Sequence, residues 1–168
     1  GEIECEDKEA EIAGCRAKMA EAESKLFKPI VGCEMYVARR TMDKKEGKPD
    51  QSGYHLIVLA KNEKGYHNLI KLVSHAWTRG YYMRPRTDRS ELESTLRADC
   101  LLGLIGGEVP KKIINDQLEE AEEAVRWYKN LFGDDYYLEL QRHKATVPRA
   151  NHEAYPLQQK ANAKLLEL

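Results

Sequence analysis

Two apolar runs of strand length lie in the first half of the chain, and the pattern of a helix follows the second of them. The runs cover residues 29–38 and 54–60, and the second is nearly continuous in apolar residues, as expected for a strand buried on both faces. Asn62 and Gly65 come next, and apolar residues then recur at steps of three and four through residues 66–77. This pattern predicts a strand, a tight turn and an amphipathic helix.

The alternation of strand and helix continues to the end of the chain. Further strands are predicted at residues 100–105 and 136–141, with a helix at 116–132 between them. A last helix is predicted from about Pro148, either continuous or restarting at Pro156, and it should bury one apolar stripe: Leu157, Ala161 and Leu165. This order of elements favours an α/β fold with parallel strands.

Two polar segments are expected to lie outside the core. Residues 39–52 are rich in charge and contain Gly47 and Pro49, so they predict a surface loop. Gly106 and Gly107, which follow the third strand, predict a simple turn.

The first 27 residues differ in pattern from the rest. Apolar or small side chains recur there at steps of three and four: Ile12, Cys15, Met19, Ala22 and Leu26. Glu21 and Lys25 have the i,i+4 spacing of a helical ion pair. The pattern predicts one arm of a helical hairpin or short coiled coil. We favour an inserted surface arm over a partner-binding helix, and we divide the chain into an arm at 1–27 and a second domain at 28–168.

Composition and charge narrow the class of protein. The 168 residues, 42% of them hydrophobic and 33% charged, suffice for one globular domain or part of one. The 27 basic and 28 acidic residues give a net charge of −1, so the chain as a whole exerts no attraction on a polyanion. Any contact with DNA is therefore expected to depend on another part of the protein.

Other features bear on cellular location. No apolar stretch approaches the ~20 residues of a membrane span, and the start at Gly1 is neither a signal peptide nor an initiator Met. We expect a cytoplasmic fragment with no membrane partner. The four cysteines have no C-x-x-C spacing and are expected to be reduced thiols.

Glu34 and His55 are the candidate metal ligands. Each lies in a predicted strand where packing alone would favour an apolar side chain. A carboxylate and an imidazole on neighbouring parallel strands can converge on one crevice and bind a first-row metal ion. The alternative, a solvated Glu and a hydrogen-bonded His, is favoured by these residues alone. His143 follows the last predicted strand and is either a third ligand in the same crevice or a loop residue.

A segment of alternating arginine and aromatic residues offers a second candidate site. Such a pattern can bind nucleic acid, and it comprises Tyr81, Tyr82, Arg84, Arg86 and Arg89. The alternative is a loop that stacks and forms salt bridges within the domain, beside Asp88 and Glu91. We favour that alternative.

Long strings of residues resemble a known family. They are KPIVGCEMYVA, SGYHLIVLAKNEKGYHNLIKLVS, GYYMRPRTD and DDYYLELQRHKATVPRANHEAYPLQQ, and together they run from Lys28 almost to the end of the chain. They resemble the N-terminal PHP domain of the bacterial DNA polymerase III alpha subunit, in the form found in Bacteroidetes-like replicases. The resemblance implies a distorted (β/α)7 barrel, present here in part, without its first two and last βα units.

The resemblance also implies a metal site. The Glu of the GCE motif and the His of the YHL motif, which are Glu34 and His55 here, look like members of a site for two or three metal ions. We therefore expect Zn or Mn at a vestigial site, with His143 as a candidate third ligand. Mg is implied for the parent polymerase.

The chain also departs from the family pattern. The H-x-H, Asp-His and Asp-x-His strands of the family do not occur, and its ligand cysteine would fall near Leu104. Cys100 could replace it only after a change of register. One hypothesis is that residues 94–105 are translated in a shifted frame, because Leu101–Leu104, if encoded by TTG CTC GGC CTG, would read Cys-Ser-Ala one base later. Sequencing the parent gene tests this hypothesis.

Three functions from different classes are compatible with these features. The favoured one is a fragment of the replicative DNA polymerase III alpha subunit, a DNA-directed DNA polymerase, in which this chain forms part of a support domain beside other replicase subunits. The alternatives are a binding platform for a proofreading exonuclease and a free-standing, metal-dependent phosphoesterase. We expect the isolated chain to lack polymerase activity, and we expect unpaired edges at the strands near 30–37 and 137–140 to make it marginally stable.

Overall fold

The computed structural model describes residues 8–95, 107–144 and 154–168 in full, and the backbone of residues 101–105. The chain divides into two units, Gly1–Ile30 and Val31–Leu168. In the first unit, helix α1 spans Lys8–Ser24 and buries none of its residues. The predicted ion pair is present, because Nζ of Lys25 lies 2.7 Å from Oε1 of Glu21.

The second unit contains five strands and six α-helices among the described residues. In chain order they are β1 (Gly32–Ala38), α2 (Gly47–Asp50), β2 (Gly53–Ala60), α3 (Glu63–Thr78), β3 (Arg86–Thr87), α4 (Arg89–Thr95), β4 (Leu101–Ile105), α5 (Glu108–Ile114), α6 (Leu118–Phe132), β5 (Tyr136–Leu138) and α7 (Ala154–Leu165). A 3-10 turn at Gly133–Asp135 joins α6 to β5. No helix in the part of the chain that the structure describes is long and apolar enough to cross a membrane.

The strands form one mixed sheet in the order β3-β1-β2-β4-β5. Strand β2 runs antiparallel to both β1 and β4, while the outer pairs β1–β3 and β4–β5 are parallel. The prediction of parallel strands is therefore wrong for the centre of the sheet. For β1 and β2, the connection has only the four-residue helix α2, so it lacks the α-helix that usually carries the crossover of a parallel pair.

The positions of the sheet edges differ in part from expectation. Strand β1 is not an outer strand, because β3 pairs with it at Tyr36 and Val37. Strand β5 is an outer strand of the described sheet, as expected, but it ends at Leu138.

The main core lies against one face of the central strands. Met35 and Val37 of β1 are buried on either side of the half-buried Tyr36, and Leu56 and Val58 of β2 are buried on either side of the half-buried Ile57. The helices add further buried side chains to the same cluster: Leu69, Leu72, Val109, Ile113, Ala121, Ala124, Tyr128, Phe132 and Leu165. The expectation that β2 is buried on both faces is wrong, since His55 on its other face is exposed.

Helix α3 starts at Glu63, before the predicted helix at 66–77 and within the predicted tight turn at Asn62 and Gly65. Oδ1 of Asn62 accepts a hydrogen bond of 2.9 Å from the backbone N–H of Gly65, so Asn62 caps the helix. Helix α6 ends at Phe132 as predicted but starts at Leu118, after Asp116 with its positive φ of 60°.

Two predictions about helices near the C-terminal half are wrong. Helix α5 begins directly after Gly107, where a simple turn was expected. Helix α7 buries Ala161 and Leu165 as predicted, but Leu157 is 41% exposed. Pro148 and Gly106 lie outside the described residues.

The segment between β1 and β2 enters the core, contrary to the prediction of a surface loop. Met42 is buried, and Asp50 is only 1% exposed. Nε of Arg40 donates to Oδ1 of Asp50 over 3.0 Å, and Nη2 of Arg40 also contacts this carboxylate. The backbone N–H of Glu46 donates to Oδ2 of Asp50. The buried carboxylate is therefore compensated by donors from its own segment.

Arg86 connects the segment between β1 and β2 to the turn after α3. Its side chain is fully buried. Nε donates to the carbonyl of Gly80 over 3.1 Å, and Nη2 donates to the carbonyls of Met42 and Lys44 over 2.9 and 3.1 Å. Gly80 has to be a glycine, because a Cβ there would lie 1.9 Å from the carbonyl oxygen of Arg86.

Replacing Arg86 with Met should destabilise the fold strongly. The change leaves three carbonyl groups without their charged donor, and each such hydrogen bond contributes roughly 1.5–3 kcal/mol. We expect a loss of about 3 kcal/mol or more in the free energy of unfolding, measured by urea titration. Arg84→Met is the control, since this exposed neighbour should cost about 1 kcal/mol or less. Equal losses in the two variants would contradict the anchoring role of Arg86.

Asp50 should make stability depend on acid pH. The hydrogen bond from Arg40 lowers the pKa of Asp50 from 3.8 to about 2. Because the folded state favours the carboxylate, its contribution is present above about pH 4 and is lost as the pH falls toward about 2. We expect the difference in Tm between the wild type and Asp50→Asn to shrink over that range. Asp43→Asn, at an exposed position of the same segment, should show no such trend.

Candidate functional site

Glu34 and His55 meet on the face of the sheet opposite the core. In the β1–β2 register, Glu34 lies opposite Ile57 and Tyr36 lies opposite His55. Glu34 and His55 are thus diagonal neighbours on one face, and Oε1 of Glu34 contacts Nδ1 of His55. Their side chains are 58% and 48% exposed, so an ion or small molecule can reach them.

Several contacts fix the position of the His55 ring. The ring packs edge-on against Tyr36, with 4.8 Å between ring centroids. A Cβ at Gly107 would lie 2.4 Å from the backbone nitrogen of His55, so glycine allows the chain before α5 to approach β2 closely. The carboxylate at Nδ1 favours the tautomer with the proton on Nδ1, which leaves Nε2 as the free electron-pair donor.

The pair lines a cleft together with residues that the sequence analysis missed. Glu34, His55, Ile57, Glu139 and Gln141 surround a space of about 440 Å³, which is within the range of small-molecule sites. Glu139 and Gln141 alternate along the extended segment after β5. The period-2 pattern of this segment could have indicated that they share a face.

His143 is not part of this group. It is exposed, and its backbone N–H donates to Oε1 of Gln158 over 2.9 Å. Within residues 8–95, 107–144 and 154–168, no group of three or more His, Cys, Asp or Glu side chains is arranged to hold a metal ion. The imidazole and carboxylate are suitable in type for Zn or Mn, but two donors do not complete a site.

The register also locates the position where the related family would carry a cysteine. Leu104 lies opposite Ile57, which lies opposite Glu34, so the three positions form one row across β4, β2 and β1. A donor at position 104 would therefore lie in the same row of the sheet as Glu34. Leucine has no donor atom, which removes one ligand from the row. Cys100, the alternative, lies outside the described residues.

Among the cysteines, Cys15 and Cys33 are free thiols, as expected, while Cys5 and Cys100 lie outside the described residues. Cys33 neighbours Glu34 on β1. Burial raises the pKa of the Cys33 thiol, and the charge of Glu34 raises it further. The thiolate form that binds metals is therefore disfavoured at this position.

The arginine and aromatic segment packs mainly within the domain. Arg86 is buried, as described above, and Nη2 of Arg89 donates to Oε1 of Glu108 over 3.0 Å while its guanidinium lies over the ring of Trp127. The favoured interpretation of this segment is confirmed for these two residues. Asp88 and Glu91, beside which the segment was expected to lie, bind other groups.

Asp88 and Glu91 each hold a different neighbour. Asp88 accepts hydrogen bonds from the backbone N–H groups of Met42 and Glu91 over 2.8 and 2.9 Å. Glu91 pairs with His75 of α3 and with Arg79, the residue that follows this helix. Burial alone would raise the pKa of Glu91, but the hydrogen bond from His75 and the charge of Arg79 lower it below its ordinary value.

Comparison with known proteins gives consistent results. The family model described as "PHP domain" matches residues 8–143. The chain is 44% identical over 125 residues to DNA polymerase III subunit alpha of Borreliella burgdorferi, which covers 73% of the chain and 11% of that protein. For the subunits of Thermus aquaticus and Chlamydia muridarum the identities are 42% over 119 residues and 40% over 122 residues, covering 69% and 71% of the chain. The chain spans about 10% of the length of these two relatives.

Proposed function

The chain belongs to the PHP domain family, and we propose that it is the corresponding part of a bacterial DNA polymerase III alpha subunit, where it supports the polymerase that synthesises DNA in replication. The observation that carries this proposal is the similarity to relatives of that name, at 40–44% identity over 69–73% of the chain. The partners implied are the other replicase subunits, and DNA is bound through the parent protein.

The mixed sheet supports a more specific proposal about the fold. One face of β1 and β2 is covered by helices, while the other carries Glu34, Tyr36, His55 and Ile57 and borders a cleft. In a closed barrel, such a face would point to the interior. We therefore interpret the sheet as part of a distorted (β/α)7 barrel, in which further strands would cover this face.

We also propose that Glu34 and His55 belong to a metal site for Zn or Mn. When bound, such an ion would lower the pKa of a bound water and so supply a nucleophile. His55 would contribute Nε2, since Glu34 holds Nδ1; Glu34 then acts as a ligand through its second oxygen or as the group that orients the imidazole. His143 remains a proposed third ligand, although in the described arrangement it does not join the pair. Mg would serve the parent polymerase and not this site.

The two alternatives have less support. A free-standing phosphoesterase is favoured by the cleft beside Glu34 and His55, but it needs more donors than this pair. A platform for a proofreading exonuclease is compatible with the exposed, stacked rings of Trp77 and Tyr81. A free-standing phosphoesterase does not account for the length of the match to polymerase subunits.

A domain exchange tests the support role. The isolated chain should give no template-dependent primer extension, because phosphoryl transfer requires carboxylates that hold its metal ions. When it replaces the matching 125-residue stretch of the Borreliella burgdorferi subunit, the chimera should extend primers within about tenfold of the parent rate, about 1.4 kcal/mol in the barrier. The same chimera with Arg86→Met should lose thermal stability. A folded but inactive chimera, or incorporation by the isolated chain, would contradict the proposal.

Metal binding should be weak. Two donors fall short of the three or four that a tight zinc site uses, so we expect a Kd above about 1 μM for zinc or manganese in equilibrium dialysis with elemental analysis. His55→Ala should abolish the weak binding and leave Tm unchanged. His67→Ala is the matched control, since His67 is exposed and lies 3.8 Å from Glu63 in a second His–Glu pair. Stoichiometric metal that survives dialysis and is lost only in His55→Ala would show a complete, tight site.

A further inference from the structure

Helix α1 has an apolar stripe that the described residues leave uncovered. The stripe comprises Ile12, Cys15, Met19, Ala22 and, in the turn that follows the helix, Leu26. Ile12, Met19 and Leu26 are 52%, 63% and 70% exposed. These three residues occupy the a positions of a heptad pattern, and Cys15 and Ala22 occupy the d positions. A seam of a and d residues is the surface through which helices pack in a coiled coil.

The charges beside this seam restrict which helix can pack on it. Arg16 and Glu23 occupy e positions and Lys18 occupies a g position, and none of the three forms an ion pair with another described residue. Lys25, by contrast, pairs with Glu21 of the same helix. In a parallel coiled coil, a g side chain meets the e side chain that lies five residues further along the other helix. Lys18 of one copy would therefore meet Glu23 of a second copy.

The same spacing gives a second complementary pair. Arg16 lies five residues after Glu11, so these two side chains would also meet across a parallel, in-register pair of α1 helices. The two-fold symmetry forms each contact twice, and every contact joins opposite charges. An antiparallel pair matches e with e and g with g. Its two registers that bury most of the seam would oppose either Arg16 with its own copy or Lys18 with Lys25.

We propose that α1 is a dimerisation helix, which forms a parallel two-stranded coiled coil with α1 of a second copy of this chain. Isoleucine at an a position favours this parallel, two-stranded arrangement. The seam is short and its d residues are small, so the association is weak and depends on concentration. The flanking ion pairs are exposed, so the association is also weakened by salt. This inference rests on α1 alone and is independent of the proposed replicase role.

Analytical ultracentrifugation of the full chain tests whether α1 mediates dimer formation. The dimer fraction should rise with concentration between about 10 μM and 1 mM at low salt. Met19→Glu should weaken the dimer about tenfold or more, because it would bury a charge in the seam. Ala20→Glu, which adds the same charge on the outer face of the helix, should change the affinity less than about twofold. A monomer at all concentrations, or a dimer that Met19→Glu leaves intact, would overturn the proposal.

An exchange of charges tests the contacts between the two copies. Lys18→Glu should weaken the dimer about fivefold, because two like-charged pairs would replace two ion pairs. Adding Glu23→Lys in the same chain should restore the affinity. Residues five apart do not face each other within one helix, so this rescue reports a contact between copies. Circular dichroism checks that the helix content of each variant is unchanged. A double variant that binds as weakly as Lys18→Glu would contradict the proposed pairing.

Disulfide cross-linking determines the orientation of the two helices. Cys15 is an exposed free thiol, and in a chain whose other cysteines are replaced by serine it should cross-link to its own copy under mild oxidation. A single cysteine introduced by Ala22→Cys should do the same, because two d residues of one layer lie within disulfide range in a parallel dimer. An antiparallel dimer brings at most one of these positions within reach of its copy. Ala20→Cys, on the outer face, is the control. Cross-linking at only one d position, or equal cross-linking at position 20, would overturn the parallel arrangement.

Discussion

The buried guanidinium of Arg86 is the interaction on which the rest of the second unit depends. It joins the turn after α3 to the segment between β1 and β2 through three carbonyl groups. Its charge also contributes to the low pKa of Asp50, which Arg40 holds from the other side. A buried charge without such partners would cost several kcal/mol, so the segment and the turn have to be ordered together. The segment ends at Ser52, next to β2, the strand that carries His55. Order in the segment is therefore linked to order at the Glu34–His55 site.

The antiparallel register of β1 and β2 is the second constraint. It places Glu34 and His55 on one face and the core residues Met35 and Leu56 on the other. A slip by one residue would move the core side chains to the open face, so burial of the core determines where the polar pair lies. The contact between the Glu34 carboxylate and the His55 imidazole thus follows from packing of the core on the opposite face. This packing does not involve a metal ion.

Local patterns predicted the elements that depend on local interactions. The helix after β2, the end of α6 at Phe132 and the buried residues Ala161 and Leu165 all follow from spacing along the chain. The strand directions, β3, α5 and the burial of Asp50 did not, because each depends on partners that are far apart in sequence. Arg86 and Met42, for example, are bonded across 44 positions. Hydrophobic period carries no information about such contacts. The same limit applies to the site, where Glu34 and His55 were recognised but Glu139 was not.

The distribution of unpaired charges bears on which ligands the chain can bind. The net charge of −1 suggested little attraction for anions, yet that sum hides how the charges are distributed. Most cations near the sheet form ion pairs with neighbouring carboxylates, as Arg40, Arg79 and Arg89 do. The cations that matter for recognition are those without such a partner. Arg39, Arg84 and Lys111 surround one pocket, and no carboxylate among the described residues lines it. A chain whose overall charge is balanced can thus have a local excess of positive charge. Only the tertiary structure reveals which charges are left unpaired.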